Sequence, residues 1–187
     1  MSLKPKALIA TAAVAIAAIA GYSYASPWMT LKNLRDDAMA GKADKMSDYV
    51  DFPMLRESLK GQIQGVMMNS LSSPEMKDNP FSGLAMAMAG GLIDSMVGTL
   101  ASPNGVVNMV QGKDAREEVA VQTAPAPATS DAKSAKAFNG AVNYDGYSRV
   151  IVKAKDAQDG DPYIVMKREG LFSWKVVDIQ LGAINEQ

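Results

Sequence analysis

"FSWKVVDIQL", residues 172–181, sets the fold class, because aromatic and β-branched side chains follow a turn signal here. Such a run reads as a strand. Strict alternation sends Phe172, Trp174 and Val176 to one face and Val177, Ile179 and Leu181 to the other, so both faces are expected to be at least partly covered. Working outward, "PYIVMKRE" and "YSRVIVKA" have the same composition, with "REG" and "QDGD" as the intervening turns. "AFNGAVNYD" adds a further strand. Residues 137–187 therefore predict an antiparallel meander of three or four strands.

Upstream the pattern changes twice. Residues 114–136, including "TAPAPATSDAKSAK", read as a flexible Ala/Pro/Ser connector. Residues 26–113 read as helical and form one domain with the strands, which makes the chain α+β: N-terminal helices packed on a C-terminal meander. "SPWMTLKNLRDDAMAG" opens with Ser26 as N-cap and Pro27 at the first helical position, and Gly41 ends it. A short helix follows, with Met46 and Val50 inward. In "DYVDFPMLRESLK" Pro53 disfavours helical geometry at Phe52, so a helix starts at Pro53. Asp51 is then its structural cap, accepting orphan N–H groups at the positive end of the helix dipole. Leu55, Leu59, Ile63, Val66 and Met67 form its apolar stripe. "SSPEMKDNP" is a loop, and Ser102, Pro103 and Gly112 bracket a last short helix.

The helix over residues 81–101 is the most apolar internal stretch. Leu84, Met88, Leu92, Met96 and Leu100 make a large ridge beside a small one of Gly83, Ala87, Gly91, Ser95 and Thr99. Three readings stand: a core helix, the wall of an apolar pocket, or a surface for membrane or partner. As a pocket wall it would use Leu84, Met86, Met88, Leu92 and Met96, with Trp174 from the sheet, because methionines adapt to varied shapes. Asp94, amid apolar neighbours, is expected to be buried against an arginine.

The first 25 residues are a targeting segment. Lys4 and Lys6 precede the apolar run "ALIATAAVAIAAIA", and "SYA" ending at Ala25 fits a small-x-small cleavage site. An uncleaved membrane anchor fits equally, with Tyr22 and Tyr24 marking the interface. Lysines ahead of the run favour a cytoplasmic N-terminus, so the domain is expected to be exported: periplasmic, or anchored at the inner membrane and facing the periplasm.

Composition removes more functions than any motif adds. The chain of 187 residues has no cysteine and no histidine, which excludes disulfides, thiol nucleophiles, Ser-His-Asp triads and the commonest zinc sites. A net charge of −1 lacks the basic footprint of a nucleic-acid binder. "DAQDGD" (Asp156–Asp161) lacks the ligand spacing of a calcium loop and reads as a hairpin turn. "SDAK" (Ser130–Lys133) falls in the connector, and no phosphate-binding loop is present. A two-carboxylate hydrolase drawing on Asp36, Asp48, Asp51, Glu57 or Asp94 is chemically allowed, but no spacing singles out an acid and a base. No catalytic residue, cofactor or metal ligand is assigned.

"YSYASPWMTLKNLRDDAMAGKADKMSDYVDFPMLRESLK", "LASPNGVVNMVQG" and "GLFSWKVVDIQL" together resemble a bacterial envelope family known only as a domain of unknown function. The chain departs from that pattern at Lys42-Ala43-Asp44, where the family places its aspartate nearer the glycine. The resemblance implies an exported or membrane-tethered α+β protein and carries no catalytic residues. The element order is also similar to cone-shaped helix-plus-curved-sheet folds of the nuclear-transport-factor-2-like and periplasmic lipid-carrier kind. The expected function is that of a non-enzymatic exported envelope protein acting by binding, with the membrane met through the N-terminal segment and a lipid or an envelope protein as partner. The alternatives are a carrier or sensor of a lipid or other apolar ligand, and a carboxylate hydrolase.

Overall fold

A computed structural model describes residues 5–71, 82–112 and 138–181. The loop predicted at 72–80 and the connector at 114–136 lie outside the described residues. Among those described, helices α1 (Pro5–Met39), α2 (Met46–Tyr49), α3 (Phe52–Leu71), α4 (Ser82–Leu100) and α5 (Pro103–Gln111) precede strands β1 (Ala141–Tyr144), β2 (Arg149–Lys153), β3 (Tyr163–Glu169) and β4 (Ser173–Gln180). The strands pair antiparallel in the order β1-β2-β3-β4, the predicted meander.

The predicted helix start at Ser26 is not where the helix begins. α1 runs unbroken for 35 residues with Pro27 in its interior. A proline removes the N–H that the carbonyl four residues back needs. Here that carbonyl belongs to Ser23, and the Ser26 hydroxyl donates to it at 2.8 Å. The side chain read as a cap instead repairs the ladder within the helix. Gly41, at φ +71°, does end α1. Gly41 N–H bonds Ala38 O at 2.9 Å and Lys42 N–H bonds Asp37 O at 2.9 Å, the paired closure of a Schellman motif.

Other helix ends follow their residue chemistry. α3 begins at Phe52, one residue earlier than predicted, with Pro53 second. Asp51 accepts the Met54 N–H at 3.1 Å, so its carboxylate is a structural cap. α5 is capped by Ser102, which accepts from Gly105 N–H at 3.0 Å, and is closed by Gly112 at φ +68°. Gly105 is required by space: a Cβ there would lie 2.2 Å from the Thr99 carbonyl oxygen.

One apolar cluster joins Leu31, Leu34 and Ala38 of α1, Met46 and Val50 near α2, and Leu55, Leu59 and Ile63 of α3. Ile93, Val97 and Leu100 of α4 and Val106, Met109 and Val110 of α5 extend it to Val150, Val152, Ile164, Met166, Trp174, Val176 and Ile179 of the sheet. Val66, placed in the α3 stripe by its spacing, is exposed. The face assignment in β4 changes because of an irregularity: Met166 pairs with Val176 but Val165 pairs with Asp178, leaving Val177 over. An extra residue reverses the alternation. Ile179 therefore joins Trp174 and Val176 on the core face, while Val165 and Val177 are buried outside the main cluster.

The outer edge of β4 is covered by α2 and α3. Asp51 N–H donates to Val176 O at 2.9 Å. Further along, the Gln62 amide donates to Ile179 O at 3.1 Å and accepts from Leu181 N–H at 3.0 Å, continuing the ladder with a side chain. Ser58 and Gln62 both donate to the Asp178 carboxylate. Polar groups on a strand edge are thereby satisfied without another strand.

Candidate functional site

The first half of α1 leaves the domain. Residues 9–22 are all exposed, although 9–21 are almost wholly apolar. Ile9–Met39 is long and apolar enough to cross a membrane, and only 6% of its most apolar window is buried, unlike the core helix of a soluble domain. This exposed apolar helix is compatible with a signal peptide or a membrane anchor.

Where the helix enters the domain, residues 22–28 meet the turns at one end of the sheet. Trp174 opens β4 with its ring 1% exposed, and its indole N–H donates to Ser26 Oγ at 2.8 Å. The same hydroxyl serves Ser23 O, so one buried oxygen links the strand to the repaired turn of the helix. Tyr144 at the end of β1 donates its phenol to Tyr24 O at 2.6 Å, and its ring stacks on Tyr24 at 4.9 Å. Burial pushes the Tyr144 phenol pKa upward, against the lowering effect of Arg168. Trp28 lies 5.9 Å from the Tyr144 ring, and Tyr22 meets Phe172 edge-on at 5.1 Å.

Arg168 is the hub. Its guanidinium lies over the ring of Trp174 at 4.5 Å and over that of Tyr147 at 4.6 Å. It donates to Ser23 Oγ at 2.6 Å, Leu171 O at 2.6 Å and Tyr147 O at 3.2 Å. Ser23 Oγ in turn donates to Leu171 O at 3.1 Å. A planar cation with five donors suits this position, joining α1 to both the β1–β2 loop and the β3–β4 turn. The sequence reading did not single it out. The available signal was phase: Arg168 shares a strand face with Ile164 and Met166.

The predicted pocket wall is placed in part. Trp174 lies in the core at the junction with α1, and Met96 is half-buried on α4, which packs on α3 and α5. The side chains of Leu84, Met86, Met88 and Leu92 lie outside the described residues. Asp94 departs from its expected burial: its side chain is 64% exposed and pairs with Lys60, not arginine, at 2.6 Å. The other carboxylates do not converge. Asp36 pairs with Lys32 at 2.6 Å, Asp51 caps α3, and Asp48 and Glu57 are exposed. In "DAQDGD" Asp161 accepts from Gln158 N–H at 2.8 Å, within the β2–β3 turn. Among the described residues no three acidic side chains are placed to hold a metal ion.

The fold and this junction define an α+β domain mounted on an apolar N-terminal helix. The chain belongs to the family described as Protein of unknown function (DUF2939), whose model matches residues 16–109. The match begins inside the apolar run, includes "VDFPMLRESL" and ends within α5. No curated protein and no solved structure matches the chain.

Proposed function

We propose that this is an envelope protein tethered by an uncleaved N-terminal helix, and that its exported domain acts by binding at the membrane surface. The observation that carries the reading is the continuity of α1 through residues 22–26, where Ser23, Tyr24 and Ser26 are bonded into the sheet. Cleavage after Ala25 would discard Tyr22, Ser23 and Tyr24, three residues with long-range contacts to the domain. A signal peptide is discarded on maturation and has no need of such contacts. The family match includes these residues, which fits a segment that belongs to the working protein.

Binding is favoured over catalysis because the candidate acids are dispersed and engaged singly, as caps or exposed ion pairs. An internal apolar carrier site draws less support, since the Trp174 N–H and ring are committed to Ser26 and Arg168.

The test is the mature N-terminus. In protein purified from the envelope, intact mass and N-terminal sequencing are expected to retain residues 22–25, with extraction requiring detergent. A mature chain beginning at Ser26 in the soluble fraction would overturn the anchored reading.

A further inference from the structure

Tyr147, Leu171 and Phe172 are apolar or aromatic side chains at the tips of turns, and the first two are 73% and 63% exposed. Turn tips ordinarily carry small polar residues. Both turns lie at the end of the sheet where α1 departs: the β1–β2 loop and the β3–β4 turn are on one side, and the β2–β3 loop is on the other. Tyr22, Tyr24 and Trp28, also exposed, continue the patch along the helix.

The length of the apolar run says what covers this patch. Ala7–Gly21 is 15 residues, or about 22 Å of helix, whereas a bilayer's hydrocarbon core is about 30 Å thick. The next charged residue after Lys6 is Lys32, so the chain can continue into the membrane boundary through Tyr22–Trp28 without burying a charge. Tyrosine and tryptophan favour that boundary, where the ring is apolar and its polar atom meets headgroups. Leu171 and Phe172 are tied to the same level by Ser23 and Tyr22, and Tyr147 is tied there by Arg168.

Building on the anchored reading, we infer that the β1–β2 and β3–β4 turns form a second membrane contact. Tyr147, Leu171 and Phe172 insert at the headgroup level and hold the domain in one orientation on the bilayer. The β2–β3 loop then points away from the membrane, about 20 Å off along the strands.

The chain's lack of cysteine permits a direct test. Val14→Cys, Tyr147→Cys, Leu171→Cys and Asp159→Cys are each labelled with an environment-sensitive fluorophore in the full chain. Each is reconstituted in phosphatidylethanolamine/phosphatidylglycerol vesicles with or without spin-labelled lipid. The expected result is deep quenching at 14, shallow quenching with a blue shift at 147 and 171, and an aqueous, unquenched signal at 159. Quenching at 14 with none at 147 and 171 overturns the second contact, leaves the anchor standing, and assigns the patch to solvent or protein. No quenching at 14 overturns the anchored reading and the inference together. Quenching at 159 equal to that at 171 overturns the proposed orientation.

Discussion

At the residue scale, one hydroxyl decides how the N-terminal half of the molecule is built. Ser26 was legible as a helix cap because Ser-Pro is the usual opening of a helix. In the folded chain it accepts from the Trp174 indole and donates to the carbonyl that Pro27 leaves without a partner. Removing it strands a buried donor and exposes the proline defect. Ser26→Ala is expected to lower unfolding stability by about 2 kcal/mol, the typical cost of a buried polar group left unpaired. In a background of Trp174→Phe the same change is expected to cost less, because the donor is already gone. Denaturant unfolding of the four chains in one detergent checks this, and an equal cost in both backgrounds would count against the coupling. Asp51 was legible correctly, since its place before a proline-led helix already accounts for its charge. Asp94 was misplaced because neighbouring apolar residues do not say which way a helical side chain points; it faces water and Lys60.

At the element scale, α1 and α2 are latched by a polar trio. Tyr49 donates to Asp37 at 2.8 Å, and Lys42 reaches the other oxygen at 2.8 Å. Burial, reinforced by the bond to Asp37, pushes the Tyr49 phenol up to about 12. The bonds from Lys42 and then Tyr49 hold the Asp37 carboxyl below its ordinary value of 3.8. For Tyr49 the folded state prefers the neutral phenol. The stability this adds is complete below the ordinary pKa of 10.0 and is lost as pH rises through about 12. For Asp37 the folded state prefers the carboxylate, so its contribution is present above 3.8 and lost as pH falls through the lowered value. Tyr49→Phe is expected to reduce the loss of urea-unfolding midpoint between pH 10 and 12. An unchanged alkaline slope would show that the latch does not operate. The β4 bulge belongs to this scale as well. Alternation in "FSWKVVDIQL" was read without the unpaired Val177, and one extra residue moved Ile179 to the core face.

For the whole molecule, the helical half and the sheet meet α1 at one end, and residues 22–28 of that helix are part of the fold while the apolar run before them is exposed. Chains beginning at Tyr22 and at Ser26 both lack the whole apolar run, yet they differ in the contacts of Tyr22, Ser23 and Tyr24. The shorter chain is expected to be less stable by about 3 kcal/mol, from three aromatic pairs and the lost bonds to Arg168 and Tyr144. Denaturant unfolding of both checks this, and equal stability would mean that the junction contributes nothing beyond residue 26. The sequence by itself determined the α+β class, the order of helices then meander, the caps at Asp51, Ser102 and Gly112, and the apolar character of the N-terminal helix. These rest on periodicity, turn chemistry and composition, which are local properties of the chain. Only the tertiary structure decided that α1 passes through Pro27, that β4 changes phase, and that Arg168, Trp174, Tyr144 and Tyr147 gather around Ser23 and Ser26. The β4 phase depends on its register against β3, the α1 contacts depend on partners some 120 to 148 positions away, and both are set by how packed elements satisfy one another's buried polar groups.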